Sequence, residues 1–415
     1  MQATKERELK LEDARAAVAM GGGASTVGVP GRAATGAARA AGEVAARARR
    51  VRVLIVAPSL DILGGQAVQA ERLLRRFSEE AELEVGFLPI NPRLPGVLRK
   101  LQGIKYVRTL VTSLLYVWTL FARVRAYDVI HIFSASYYSF VLAPTPAILV
   151  AKLYGKKTVL NYRSGEAEDH LRRWRRTAIP TIRLVDVVAV PSGYLVDVFA
   201  QFGLTARSIF NFVDTSRFRF RERRPLSPAF LSNRNHEPLY NVACVLRAFS
   251  LIQERYPEAT LTIVGDGTEH AALRQLARES GLRHTKFTGR VAQERMPECY
   301  DAADIYLNAP NIDNMPGSII ESYASGLPVV TTDAGGIPYI LRDGETGLLV
   351  RRDDHAALAA AAIRLLEDDE LAARLTANAH AECRKYSWEA VRREWLKLYR
   401  ELAGAEAAEH NASAR

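Results

Sequence analysis

At 415 residues, with 48% hydrophobic and 25% charged side chains, the chain is long enough for two soluble domains, each with its own core. Its three cysteines, Cys244, Cys299 and Cys383, form no C-x-x-C pair and no even framework, which points to a reducing, cytoplasmic compartment and away from disulfides or a cysteine-held metal. Of the net charge of +10, the first fifty residues supply +4, from nine Lys/Arg and five Asp/Glu; the mildly basic remainder has no RRM, KH or helix-turn-helix pattern, so nucleic acid is not an expected partner.

Residues 1–50 are rich in Ala, Gly and Arg and lack the apolar stretch of a secretory signal, so they read as a disordered extension. The fold begins at "VRVLIVAP" (51–58), a β-branched run that suits a buried parallel strand, followed by Gly64-Gly65 and an amphipathic helix. Strand-like runs return in "LEVGFLPI", "YDVIHIF", "KKTVLNYRS" and "DVVAVPS", with helical stretches between them, which implies βαβ units and a parallel sheet over residues 51–215. Within this domain "YVRTLVTSLLYVWTLFARVR" (106–125) is too short between its arginines to span a bilayer. Its stripe Val107, Val111, Leu114, Trp118 and Phe121 is expected to pack on the sheet; docking on a membrane surface, helped by Lys105, Arg108, Arg123 and Arg125, is the alternative. His170 in "EAEDHL" is expected at the surface, and "LRRWRR" (171–176) reads as a solvated helix face or else an anion- or lipid-facing patch.

A basic, Pro-containing linker leads into a second alternating series over residues 216–385, with strands in "AFLSNRN", "ATLTIVGDG", "HTKFTGRV", "ADIYLNAP" and "TGLLVRR". Asp266 in "VGDG" reads as a turn residue, with Gly265 and Gly267 shaping the loop. An amphipathic helix over 386–403, with Trp388, Val391, Trp395, Leu398 and Leu402 on one stripe, and a tail over 404–415 close the chain. Neither half carries G-x-G-x-x-G after its first strand, and no G-x-x-x-x-G-K-[ST] occurs, which argues against a dinucleotide dehydrogenase and a P-loop enzyme.

The stretch "DNMPGSIIESYASGLPVVTTDAGGIP" (313–338) carries the chemistry. If "ADIYLNAP" is a strand, Asp313 lies in the loop at its carboxyl end, where open α/β sheets bind ligands. Pro316 suits the first position of the next helix, so the amides of Gly317 and Ser318 are free to meet an anion, and Glu321 follows one turn on, within reach of a ligand hydroxyl. Amide donors for a phosphate, with carboxylates on each side for hydroxyls, suit a sugar nucleotide.

This stretch, with "YDVIHIF", "VVAVPSGYLVDVFAQFG", "NFVD", "TIVGDG" and "YSWEAVRREWLKLYREL", resembles family 4 of the retaining glycosyltransferases over most of residues 51–403. The resemblance implies the GT-B fold, an α/β architecture of two Rossmann-like domains facing a cleft, with the last helix crossing back to the first domain. It implies transfer of a sugar from a nucleoside-diphosphate sugar, a substrate rather than a cofactor, to a glycan or lipid-linked acceptor. By position, Glu321 would hold the donor ribose, Asp313 the hydroxyls of the transferred sugar, and Gly64-Gly65 would approach the phosphates; Gly265, Gly317 and Ser318 complete the donor set.

The sequence departs from the family at three positions, the first being Asp313, a shorter acid where the family has the first of two Glu that flank seven residues. The family's Arg is present as Arg234, but Leu239 stands where its phosphate-binding Lys is usual, and no Asp-x-Asp pair suggests a metal instead. Arg163 occupies the strand end where the family often has a His. Arg is a fixed fork for phosphate or carboxylate and no base, so Arg163 either replaces the missing Lys or reads an anionic acceptor. His131 either lines the cleft as a catalytic residue or is a buried, hydrogen-bonded core histidine. Alternatives outside sugar transfer are a nucleotide-sugar epimerase and a non-catalytic nucleotide-sugar-binding protein. The expected location is the cytoplasm, with peripheral contact at the cytoplasmic face of the inner membrane as a further expectation.

Overall fold

The computed structural model describes residues 50–59, 65–92, 105–134 and 136–404. Gly64, the tail from residue 405 and all but the last residue of the 1–50 extension lie outside the described residues. The first domain is built from strands β1 (Val51–Ala57), β2 (Leu83–Pro89), β3 (Val129–Phe133), β4 (Lys157–Asn161), β5 (Val187–Val190) and β6 (Arg207–Ser208). Between them run helices α1 (Gly65–Ser78), α2 (Lys105–Arg123), α3 (Tyr138–Leu142), α4 (Pro144–Leu153), α5 (Ala167–Arg173), α6 (Arg175–Arg183) and α7 (Gly193–Gln201). The second domain has β7 (Ala229–Asn233), β8 (Thr260–Val264), β9 (Thr285–Gly289), β10 (Ile305–Asn308), β11 (Val329–Thr332) and β12 (Leu348–Val350). Its helices are α8 (Val242–Arg255), α9 (His270–Glu279), α10 (Met296–Asp301), α11 (Gly317–Ser325), α12 (His355–Glu367) and α13 (Asp369–Glu382), before a final α14 (Trp388–Ala403).

Both sheets have six parallel strands, in the orders β2-β1-β3-β4-β5-β6 and β12-β11-β10-β7-β8-β9. Every residue of β3 and β10 is buried, as expected of parallel strands covered on both faces. The strand order reverses between β1 and β3 in one sheet and between β7 and β10 in the other, and crevices open at the carboxyl ends of such pairs. Arg234 directly follows β7, and the loop with Asp313 follows β10.

The last helix returns to the first domain. Val391, Trp395 and Tyr399 pack with Val53, Ile55 and Phe77 in one core, and Arg392 makes two 2.5 Å bonds to Glu80. Ser387 caps its first turn and Gly404, in the left-handed region, ends it.

Four expectations need correction. The face of α2 that meets the sheet is Tyr116 and Leu120, continued by Val124, with the Tyr116 hydroxyl donating to the Ala143 carbonyl at 2.9 Å. Leu114, Trp118 (69% exposed) and Phe121 of the expected inner stripe face outward. Both stripes repeat at helical spacing, and the apolar pattern does not say which one the sheet will cover. Against the expectation that this segment is too short to span a bilayer, Val107–Ala126 is long and apolar enough to cross a membrane by length and composition, but its inner face belongs to the domain core. His170 is buried, not exposed: α5 turns it inward onto the Tyr162 hydroxyl, 2.7 Å from Nδ1, while Arg172 and Arg173 turn out. Burial holds its pKa down to about 4 against the pull of Asp169. Lastly, Pro316 is the extended residue before α11 rather than its first helical residue.

Candidate active site

The two strand ends beside the reversal in the second sheet bring Arg234 and Asp313 together. Arg234 Nη2 donates to Asp313 Oδ2 in a short, nine-tenths-buried ion pair, and Nη1 lies 3.4 Å from the Ser318 hydroxyl. The Arg234 guanidinium sits 4.0 Å over the ring of Tyr240, which follows the position of the missing Lys. Burial opposes the charge on Arg234, but Asp313, helped by the nearby tyrosines, outweighs it and leaves the pKa raised. The Arg234 Nε is buried and has no protein partner.

The 313–314 backbone is held by glycines. A Cβ on Gly335 (φ +52°) would stand 2.1 Å from the Asp313 carbonyl, and one on Gly336 would stand 1.9 Å from that of Asn314. Gly336 N–H instead donates to the Asp313 carbonyl at 3.0 Å. Gly265 does the same service for the other loop: its Cβ would meet the Arg234 carbonyl at 2.0 Å.

Glu321 is 7% exposed on α11, one turn beyond Ser318. Its Oε2 accepts from the Tyr300 hydroxyl at 2.8 Å. Burial, then the Glu321 charge, raises the Tyr300 pKa well above its ordinary value, so the phenol stays a donor. Gly317 stands at the helix start and lines the cleft.

From the first domain, Arg163 follows β4 and enters the same cavity, of about 380 Å³, as Arg234, Tyr240, Asp313 and Gly317. Its Nε donates to Asn161 Oδ1 at 3.0 Å, and its guanidinium lies 5.3 Å over the Phe133 ring. Burial lowers its pKa to about 9, which leaves it cationic at neutral pH. Asn314 ties the two domains: its Oδ1 accepts from the Ser192 hydroxyl in a short bond and its Nδ2 lies 3.5 Å from the Arg163 carbonyl.

His131 does not join this group, which corrects its place among the catalytic candidates. It is fully buried in β3, with Nδ1 2.6 Å from the Tyr399 hydroxyl, Nε2 2.9 Å from Asn161 Nδ2, and its ring stacked between Phe133 and Trp395. Burial, with Arg163 nearby, pushes its pKa down to about 3. Its link to the cleft is indirect, through Asn161, which also holds Arg163. Gly65 starts α1, while Gly64 is outside the described residues. Sequence reasoning missed Tyr300 and Asn314; only Asn314, beside Asp313, lay next to a quoted motif residue. Among the described residues no three His, Cys, Asp or Glu side chains gather as a metal-ligand group.

Two parallel sheets facing one cleft define the GT-B class, and solved structures agree on the fold. The chain superposes on Anabaena HepE in complex with UDP and glucose with a TM-score of 0.66 and 18% identity, over 84% of this chain and 99% of that one. On sucrose-phosphate synthase from Thermosynechococcus elongatus the TM-score is 0.68 with 20% identity, over 86% and 100%. Residues 229–368, in the second domain, match the family described as glycosyl transferases group 1. The chain is 31% identical over 239 residues to phosphatidyl-myo-inositol mannosyltransferase of Mycolicibacterium smegmatis, covering 57% of this chain and 56% of that one. It is 34% identical over 170 residues to D-inositol 3-phosphate glycosyltransferase of Corynebacterium jeikeium, covering 39% and 40%. The chain thus spans a little over half the length of that mannosyltransferase.

Proposed function

We propose that the protein is a retaining glycosyltransferase that moves a sugar from a nucleoside-diphosphate sugar to a glycan or lipid-linked acceptor. The observation that carries this reading is the convergence of Arg234, Asp313, Ser318 and Glu321 at the reversal of the second sheet. The leaving diphosphate develops charge that must meet donors already in position. Arg234 and the first-turn amides of α11 supply them, and Arg163 adds a second cation from across the cleft. Glu321 takes the ribose, and Asp313 takes the hydroxyls of the transferred sugar once the phosphates share Arg234 with it. These cations do the work of a divalent metal, so transfer is expected to survive a chelator.

A lipid-linked acceptor is supported by the lipid acceptor in the name of the mannosyltransferase relative and by the outer surface of the first domain. Leu110, Leu114 and Trp118 of α2 are exposed, as are Leu149 and Leu153 of α4, which packs against α2, and Arg108, Arg175 and Arg176 are exposed on the same domain. Exposed apolar anchors and basic side chains on one domain favour peripheral docking on an anionic membrane.

A thermal-shift screen of UDP-, GDP-, ADP- and dTDP-sugars tests the donor site, because a ligand of the folded state raises its melting temperature. One of them should stabilise the parent and stabilise Glu321→Ala much less. Equal stabilisation of the two would remove Glu321 from the site.

A further inference from the structure

Helix α1 presents a face to this cleft that the site as described does not use. Gln66 and Gln69 line the cavity, and the Gln69 Oε1 is buried without any hydrogen-bond partner. One turn on, Arg72 reaches into the second domain: its Nη2 donates to Gln293 Oε1 at 3.0 Å and stands 4.0 Å from Glu321 Oε1. Its side chain is 19% exposed, whereas Arg75 on the outer face of the helix is 83% exposed.

The separation of 4.0 Å is too long for a charge-assisted hydrogen bond, which closes to roughly 2.7–2.9 Å. Glu321 Oε2 is already taken by Tyr300, so Oε1 is the oxygen left for a ligand. A carboxylate only accepts and a guanidinium only donates. Between them they fit a group that does both, and a hydroxyl is such a group. The unpartnered Gln69 Oε1 is a further acceptor on the same face of α1, three residues away.

We infer that Arg72, with Gln69, is a donor-binding residue that closes the first domain onto the ribose diol held by Glu321. The inference rests on the reading of the cleft as a nucleotide-sugar site. One ribose hydroxyl donates to Glu321 and accepts from Arg72, and its neighbour donates to Gln69. Gln293 holds the guanidinium in register through Nη2, so the contact forms only with the two domains together. Ribose recognition and closure of the cleft are then one event, and a deoxyribose leaves buried polar groups unmatched on both domains.

The test is calorimetric titration with UDP and GDP and with their 2′-deoxy and 3′-deoxy forms. The parent, Arg72→Ala, Arg72→Lys and Arg75→Ala are compared. Binding by the parent tests the donor-site reading, and the ratio of variant to parent tests Arg72. Losing one hydrogen bond to a charged group corresponds to a loss of about tenfold or more, so Arg72→Ala should bind the ribonucleotide at least that much more weakly. It should bind at least one deoxy form nearly as well as the parent does, so that discrimination collapses. Arg72→Lys should recover little, because an ammonium cannot meet Gln293 and the hydroxyl as a fork does. Arg75→Ala should match the parent. Parent-like affinities in Arg72→Ala, or equal losses for the ribo and deoxy forms, would overturn the inference.

Discussion

Arg234 and Asp313 neutralise one another in the cleft, each about nine-tenths buried, beyond the ends of the two strands that flank the sheet's reversal. The cation expected on the phosphates and the acid expected on the sugar are therefore one unit, and on the proposed reading a donor inserts into it. Removing one partner of a buried pair leaves an uncompensated charge, at a cost of about 3–5 kcal/mol. Arg234→Gln should lower stability in urea melts and cut kcat/KM by about a hundredfold or more. The double variant with Asp313→Asn should recover stability without recovering transfer. Additive losses of stability would break this coupling.

On the proposed reading Arg163 supplies the second charge. Arg163→Ala should lower transfer strongly, and Tyr240→Lys, beside Arg234, should partly restore it, since only residues sharing one partner couple in this way. If Arg163 reads an anionic acceptor instead, its loss raises the acceptor KM and spares donor hydrolysis. Measuring hydrolysis and transfer in one preparation separates the two, and unchanged rates in both would make Arg163 structural.

Acid should destabilise the fold through its buried histidines. His131 and His170 titrate at about 3 and about 4 when folded, below the free value near 6.5, so the unfolded chain binds more protons as the pH falls. Their stabilisation is complete above about pH 6.5 and is lost on acidification toward pH 4, at about 1.4 kcal/mol per pH unit for each histidine. Urea melts of parent and His170→Gln between pH 7 and pH 5 should therefore converge toward acid. Parallel curves would contradict the assignment.

The outer face of α2 should hold the protein on anionic vesicles. Leu114→Glu with Trp118→Glu replaces two exposed side chains, so the melting temperature should stay near the parent's while flotation with phosphatidylglycerol vesicles is lost. Undiminished flotation would assign binding to another surface.

The fold was legible because buried parallel strands are β-branched runs and the loops after them carry Gly and Pro. The cluster at 313–321 was legible for the same reason: a strand end, a helix start and two carboxylates are local features. The misses are tertiary. An apolar stripe on α2 has a rival at the same period, and a histidine inside an apolar strand carries no sign of whether Tyr399, in the last helix, will meet it. Arg72 has the look of one more basic residue in "AERLLRRF", and only packing across the cleft separates it from Arg75 and Arg76.

The central claim is sugar transfer with retention, and proton NMR of a reaction with the stabilising nucleotide sugar tests it most directly. Reactions with and without an acceptor such as phosphatidylinositol in vesicles, and with and without EDTA, should be followed together. The account predicts nucleoside diphosphate and a glycosylated acceptor that keeps the donor's anomeric configuration, undiminished by EDTA. An epimerised nucleotide sugar formed without acceptor, or tight binding of the donor with no turnover on any acceptor, would contradict it.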